Sequence, residues 1–129
     1  MTLTHRDSSE ITGYHAHIYY DAQTRVAARS VRFGIEARFT CVLGRWHDRP
    51  VGPHPKAMYQ VAFEPDEFPK IVPWLMINRR GLDILVHPNT VDPVEDHDVS
   101  PIWLGNKLAL NIESLRHFVI ENAKKIAAG

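Results

Sequence analysis

From Tyr14 to Tyr20 the chain sets His15, His17 and Tyr19 against Ala16 and Ile18, the period of two expected of a half-buried strand. Asp21 then caps a helix predicted over 22–33, with Ala22, Val26 and Phe33 on its apolar stripe and Gly34 suited to a left-handed turn at its end. A second strand is expected over 38–43, and a loop of turn formers over 44–55 leads to a third strand over 58–63. Residues 66–80 place Phe68, Ile71, Val72 and Leu75 on one helical face before Gly81, while Pro69 and Pro73 imply a late start or a kink. A fourth strand, 82–87, follows.

The order β-α-β-β-α-β is that of an α+β, ferredoxin-like unit, an antiparallel sheet with two helices on one face. In this reading the first and third strands are central and run parallel, and the fourth lies antiparallel beside the first. Residues 88–105 read as a long loop and 107–110 as a short strand. A last helix starts at Asn111 or Ile112, with Leu115, Phe118 and Val119 on one side. The division is a loose lead-in over 1–12, the ferredoxin-like core over 13–87, and a loop with a C-terminal helix over 88–129.

A length of 129 residues is that of a single domain able to bury a core without staples. Fifteen basic residues balance fifteen acidic ones, so no net field exists to hold nucleic acid or an anionic membrane. Cys41 is the single cysteine, which excludes an internal disulfide and reads as a small core residue in a reducing compartment. The first ten residues lack a signal-peptide core, and no apolar run approaches the ~20 residues that span a bilayer. A cytoplasmic protein is therefore expected.

Histidine changes the picture. Five of the eight histidines are His15, His17, His54, His87 and His97. His15 and His17 belong to the first strand, His54 sits between Pro53 and Pro55 ahead of the third, and His87 ends the fourth. Alternation sends Ala16, Ile18, Leu82, Ile84 and Val86 toward the helices and His15, His17, Leu85 and His87 to the other face. Strand residues two apart are separated by about 6.5–7 Å at Cα, close enough for two imidazoles to share an ion. His15, His17 and His87 are thus the candidate metal ligands. His54 and His97 are the candidate acid/base groups, and the flanking Asp96 and Asp98 are expected to raise the pKa of His97. His5, His47 and His117 are assigned to the surface or local packing, Trp46, Trp74 and Trp103 to core or interface, and Arg79-Arg80 to a helix dipole.

Tyr14-His15-Ala16-His17-Ile18-Tyr19, Gly52-Pro53-His54-Pro55 with Met58-Tyr59-Gln60-Val61, Trp74-Leu75, Leu85-Val86-His87-Pro88-Asn89-Thr90 with Asp92 and Asp96-His97, and Trp103-Leu104-Gly105 together resemble the DOPA 4,5-dioxygenase family. The resemblance runs from about residue 13 to 115. It implies a dimeric ferredoxin-like protein that cleaves a catechol ring extradiol fashion with dioxygen at Fe(II), a homodimer acting on a small aromatic substrate. Tyr19, Tyr59 and Asp92 are then expected at the substrate. One departure is Val91, where the family commonly has Gly; a β-branched residue disfavours positive φ, so the turn carrying Asp92 is expected to differ.

A common ferrous site joins two histidines to a carboxylate. No acidic residue occupies the strand positions that face the cluster, which favours three histidines, although Asp92, Glu95 or Asp96 could supply a third ligand from the loop. Imidazole sets also accept Zn²⁺, so a zinc hydrolase is one alternative. A non-catalytic ferredoxin-like binding module is the other.

Overall fold

β1 (Gly13–Tyr20) is central because both its edges are paired, to β3 (Ala57–Phe63) on one side and β4 (Ile84–Asn89) on the other. β2 (Val42–Leu43) extends the sheet past β3, and β5 (Ile102–Leu104) extends it past β4. The order is β2-β3-β1-β4-β5. This computed structural model describes residues 3–128. α1 (Arg25–Arg38) and α2 (Phe68–Asn78) lay Ala28, Val31, Ile35, Ile71, Val72 and Leu75 on Ala16, Ile18, Tyr59, Val61, Ile84 and Val86, forming one core. The expected α+β, ferredoxin-like architecture is therefore present.

One strand direction differs from expectation. β1 and β3 are antiparallel, with Tyr14 opposite Phe63 and Tyr20 opposite Ala57. The crossover through α1 returns the chain so that β2 is parallel to β1 with β3 between them, and β3 must then oppose both. His54, just before β3, consequently arrives at the Tyr19 end of β1 and not at its start.

Asp21 organises the turn after β1, its Oδ1 accepting from the backbone N–H groups of Gln23 and Thr24, but α1 begins only at Arg25. α1 also continues through Gly34 to Arg38, which shortens β2 to two residues. The expected stripe is rotated: Val26 and Phe33 are about 70% exposed (69% and 70%), and Ala28, Val31 and Ile35 face the core. Gly34 answers a packing need instead of a turn. A Cβ there would lie 2.5 Å from the Trp74 ring, so its absence lets α1 and α2 approach. In α2, Pro69 occupies the first turn, where no intrahelical N–H is needed, and Pro73 lies inside the helix.

The region after β4 is more ordered than its composition suggests. Ser8–Glu10 form a 3-10 turn in the lead-in, tied on by Arg6 to Glu95 and by the Thr12 N–H to the Asn89 carbonyl. Within the expected loop lie α3 (Pro93–Asp98), capped by Asp92, and the strand β5. Residues 107–110 are not a strand: Leu108 and Leu110 cross the second face of the sheet against Tyr19, Met58, Leu85 and Trp103. α4 (Ile112–Ala128) starts where expected and buries Leu115, while Phe118 is 60% exposed. No helix among the described residues is long and apolar enough to cross a membrane.

Candidate active site

The face of the sheet opposite α1 and α2 carries a row from β1, His15, His17 and Tyr19, with His87 directly across from His15 and Met58 across from Tyr19. The pleat forces this. Once Ala16 and Ile18 enter the core, the alternate residues must project the other way. His15, His17 and His87 each offer a ring nitrogen, all within 4.8 Å of one another. Among the described residues they are the one such group of histidine, cysteine or carboxylate side chains.

The donor set fits a metal ion. His87 Nδ1 donates to the Pro88 carbonyl at 2.9 Å, since that oxygen can only accept, and its Nε2 is left bare when the ring is neutral. His17 Nε2 lies 3.2 Å from it. For bonds of about 2.1 Å at a tetrahedral centre, neighbouring ligand nitrogens stand about 3.4 Å apart, close to the spacing seen. His17 Nδ1 lies 3.5 Å from Met58 Sδ, a weak acceptor that would leave Nε2 for an ion. Without an ion, one proton on His17 Nε2 can bridge the pair.

Two more histidines complete the cluster. His54 is presented by the Pro53–Pro55 turn, pinned by the Asn111 N–H on the Pro53 carbonyl (2.8 Å), and its ring centre is 4.2 Å from that of His17. Its Nδ1 is 2.7 Å from the Tyr19 hydroxyl. His97, on α3, has its ring centre 3.9 Å from that of His87, the planes tilted, and gives its Nδ1–H to the Pro93 carbonyl at 2.7 Å. Trp103 is near-parallel to Tyr19, and a cavity of about 190 Å³ lies between His97, Trp103, Lys107, Leu108 and Leu110.

Burial disfavours the charged form of all five imidazoles. It is the leading cause in each: His15 is lowered, His17 falls well below its usual value, His54 drops to about 4 and His87 to about 3. His97 is also lowered, against the expectation from its acidic neighbours. Desolvation outweighs its Pro93 hydrogen bond and the charge of Asp96. Neutral rings keep their lone pairs for a cation or a proton.

Other candidates stand elsewhere. Tyr59 faces α1, its hydroxyl donating to the Ala28 carbonyl at 2.8 Å in the helix-side core. Its register partner is Ile18, so parity alone could have excluded it. Asp92 is exposed and accepts from the Glu95 N–H; Glu95 pairs with Arg6; neither joins the cluster. Val91 is 96% exposed, and among the described residues the non-glycine one with positive φ is Arg80, so the turn accepts Val91 without left-handed strain. Asp96, one of the loop carboxylates that could have supplied a third ligand, is instead buried and receives both the N–H and the hydroxyl of Thr90, at 2.7 and 2.6 Å. That clamp fastens α3, and with it His97, to the end of β4. A Thr and an Asp six residues apart around a capped turn are its sequence trace, too common a pattern to single out.

A family model described as the Dopa 4,5-dioxygenase family matches residues 14–114. The chain is 34% identical over 91% of its length to an uncharacterized 21.2 kDa protein of Botryotinia fuckeliana, covering 70% of that protein. It is also 34% identical, over 83% of its length, to a DOPA 4,5-dioxygenase of Amanita muscaria, of which it spans 51%. Among solved structures, that of a "putative dioxygenase" of Nostoc punctiforme superposes with a TM-score of 0.88 at 61% identity, covering 88% of this chain and 99% of that one.

Proposed function

The chain belongs to the Dopa 4,5-dioxygenase family, and from that premise we propose that it opens a catechol ring with dioxygen beside the ring hydroxyls, at Fe(II) held by His15, His17 and His87. The observation that carries the reading is the gathering of three neutral imidazoles on one sheet face, with no carboxylate among them and two further histidines against them. Ferrous iron, held by these three imidazoles, would bind the catecholate and relay electrons from it to dioxygen.

The chain's own residues account for the rest. His97 and His54 are the groups left to move protons, since a catechol must lose hydroxyl protons on binding and the opened product must regain one. The cavity beside His97 has room for a flat ring between Trp103, Lys107, Leu108 and Leu110. Tyr19 reaches this site through His54, and Asp92 contributes by capping the helix that carries His97. We further propose a cytoplasmic homodimer. In the single chain His17, Tyr19, His54, Met58, Leu85 and His87 are already buried, so what supports a second copy is the family resemblance together with the exposed edge strand β2, where Val42 is 71% exposed.

Anaerobic loading with Fe²⁺, followed by air and a panel of catechols, tests the activity. Expected are one dioxygen consumed per catechol and a yellow ring-fission product. No oxygen uptake by fully loaded protein overturns the reading, and hydrolysis supported by Zn²⁺ in its place would favour the zinc alternative. Sedimentation at a concentration-independent monomer mass overturns the dimer.

A further inference from the structure

We infer that Tyr19 and the Pro93 carbonyl fix opposite tautomers on the two flanking histidines, making His54 a standing hydrogen-bond donor at Nε2 and His97 a standing proton acceptor at Nε2. The catalytic meaning of this pair rests on the reading above, whereas the tautomers themselves do not.

The argument is one of satisfying buried hydrogens. Tyr19 is 1% exposed, and the partner of its hydroxyl among the described residues is His54 Nδ1, at 2.7 Å. If His54 donated, the phenol hydrogen would be buried without an acceptor, which is costly. Tyr19 therefore donates. The neutral His54 ring then carries its proton on Nε2. At His97 the partner of Nδ1 is a carbonyl oxygen, 2.7 Å away, which can only accept. Nδ1 holds the proton there, and Nε2 is bare.

Both arrangements are built into rigid parts of the fold. Tyr19 lies in the central strand, paired on both edges and near-parallel to Trp103 at 6.0 Å. His54 is confined by prolines on either side and by its own N–H on the Val51 carbonyl, at 3.0 Å. His97 is confined by α3, which the Asp96–Thr90 bonds tie to β4. Little reorganisation is needed at the moment of reaction.

The division of labour follows. A proton leaving a catechol hydroxyl goes to His97 Nε2, and the bonding electron pair stays on the catechol oxygen. His54 Nε2–H is the donor for an oxygen that gains negative charge. Tyr19 is thereby a positioning residue, acting through His54, and not a wall of the pocket.

Protein labelled with ¹⁵N-histidine, metal-free and loaded with diamagnetic Zn²⁺, reads the tautomers directly from two-bond ¹⁵N–¹H correlations. Expected are an unprotonated Nδ1 on His54 and an unprotonated Nε2 on His97; a proton on His54 Nδ1, or the same tautomer on both rings, overturns the inference. Tyr19→Phe should convert His54 to a tautomer mixture and lower kcat about tenfold, with KM and metal content retained. A folded Tyr19→Phe protein with an unchanged His54 spectrum overturns the role of Tyr19. Absence of oxygen uptake by the iron-loaded wild type would instead remove the catalytic reading and leave the spectra to decide the tautomers.

Discussion

The two faces of one sheet divide the work of this molecule residue by residue. Ala16 and Ile18 lie fully buried beneath α1 and α2, while His15 and His17, one position away in the same strand, meet a polar cluster instead. Core burial holds β1 in place by apolar contact that is tolerant of small shifts. The histidine face depends on ring nitrogens placed to within a few tenths of an ångström. A strand paired on both edges is what allows the second requirement to rest on the first.

The sharpest way to break the comparison is to empty the histidine face. His15→Ala, His17→Ala or His87→Ala should each abolish stoichiometric Fe²⁺ or Zn²⁺ binding, read by metal analysis after dialysis, and all turnover with it. Circular dichroism should stay native, because these rings lie outside the helix-side core. Full metal occupancy in all three variants would remove the assignment. Next in size, His97→Gln should keep bound metal but lower kcat by about 10²–10⁴, the usual reach of a general acid/base. Metal loss in that variant would place His97 among the ligands.

The converse comes from the helix face. Ile18→Ala opens a cavity in the helix-side core, where the side chain is fully buried with Tyr59 of β3 and Ile84 of β4 beside it, and should lower unfolding free energy by about 2–5 kcal/mol in urea titrations. Metal bound per folded molecule should not change. A variant of normal stability that failed to bind metal would show the faces to be coupled more tightly than the pleat implies.

How far these faces were legible in the sequence depended on period and on distance along the chain. Alternation from Tyr14 to Tyr20 and from Leu82 to His87 separates the histidines from the core with no further information, because a pleat has only two sides. The same parity, applied to Met58–Phe63, puts Tyr59 with the core, so its expected place at the substrate came from the resemblance and not from the pattern. Strand direction was misread for β1 and β3. The placement of His54 survives that error because its turn reaches over Tyr19 from the other end. Gly34 was ambiguous locally: a glycine after an apolar stripe marks either a helix end or a close helix contact, and only Trp74, forty residues on, decides between them. α3 and β5 were invisible because six and three residues carry too little periodicity, their order coming from Asp92, Asp96 and pairing to β4.

The mildest perturbation is acid, and it also separates the faces, because the core has nothing to titrate over the range in which the imidazoles change. His54 and His87 have folded values of about 4 and about 3, below the ordinary 6.5. The unfolded chain therefore binds protons that the folded chain refuses, and stability must rise with pH through this interval. The contribution is fully present above pH ~6.5 and is lost progressively as pH falls toward 4 and then 3. Between pH 7 and pH 6 the linkage amounts to about 0.7 kcal/mol for each such imidazole. Metal-free protein should accordingly show a lower urea midpoint at pH 6 than at pH 7. Saturating Zn²⁺ should raise the midpoint at both values, and more at pH 7, where protons compete less for the same nitrogens. A midpoint that does not move between the two pH values in the metal-free protein would mean that the cluster opens to water and takes up protons while folded.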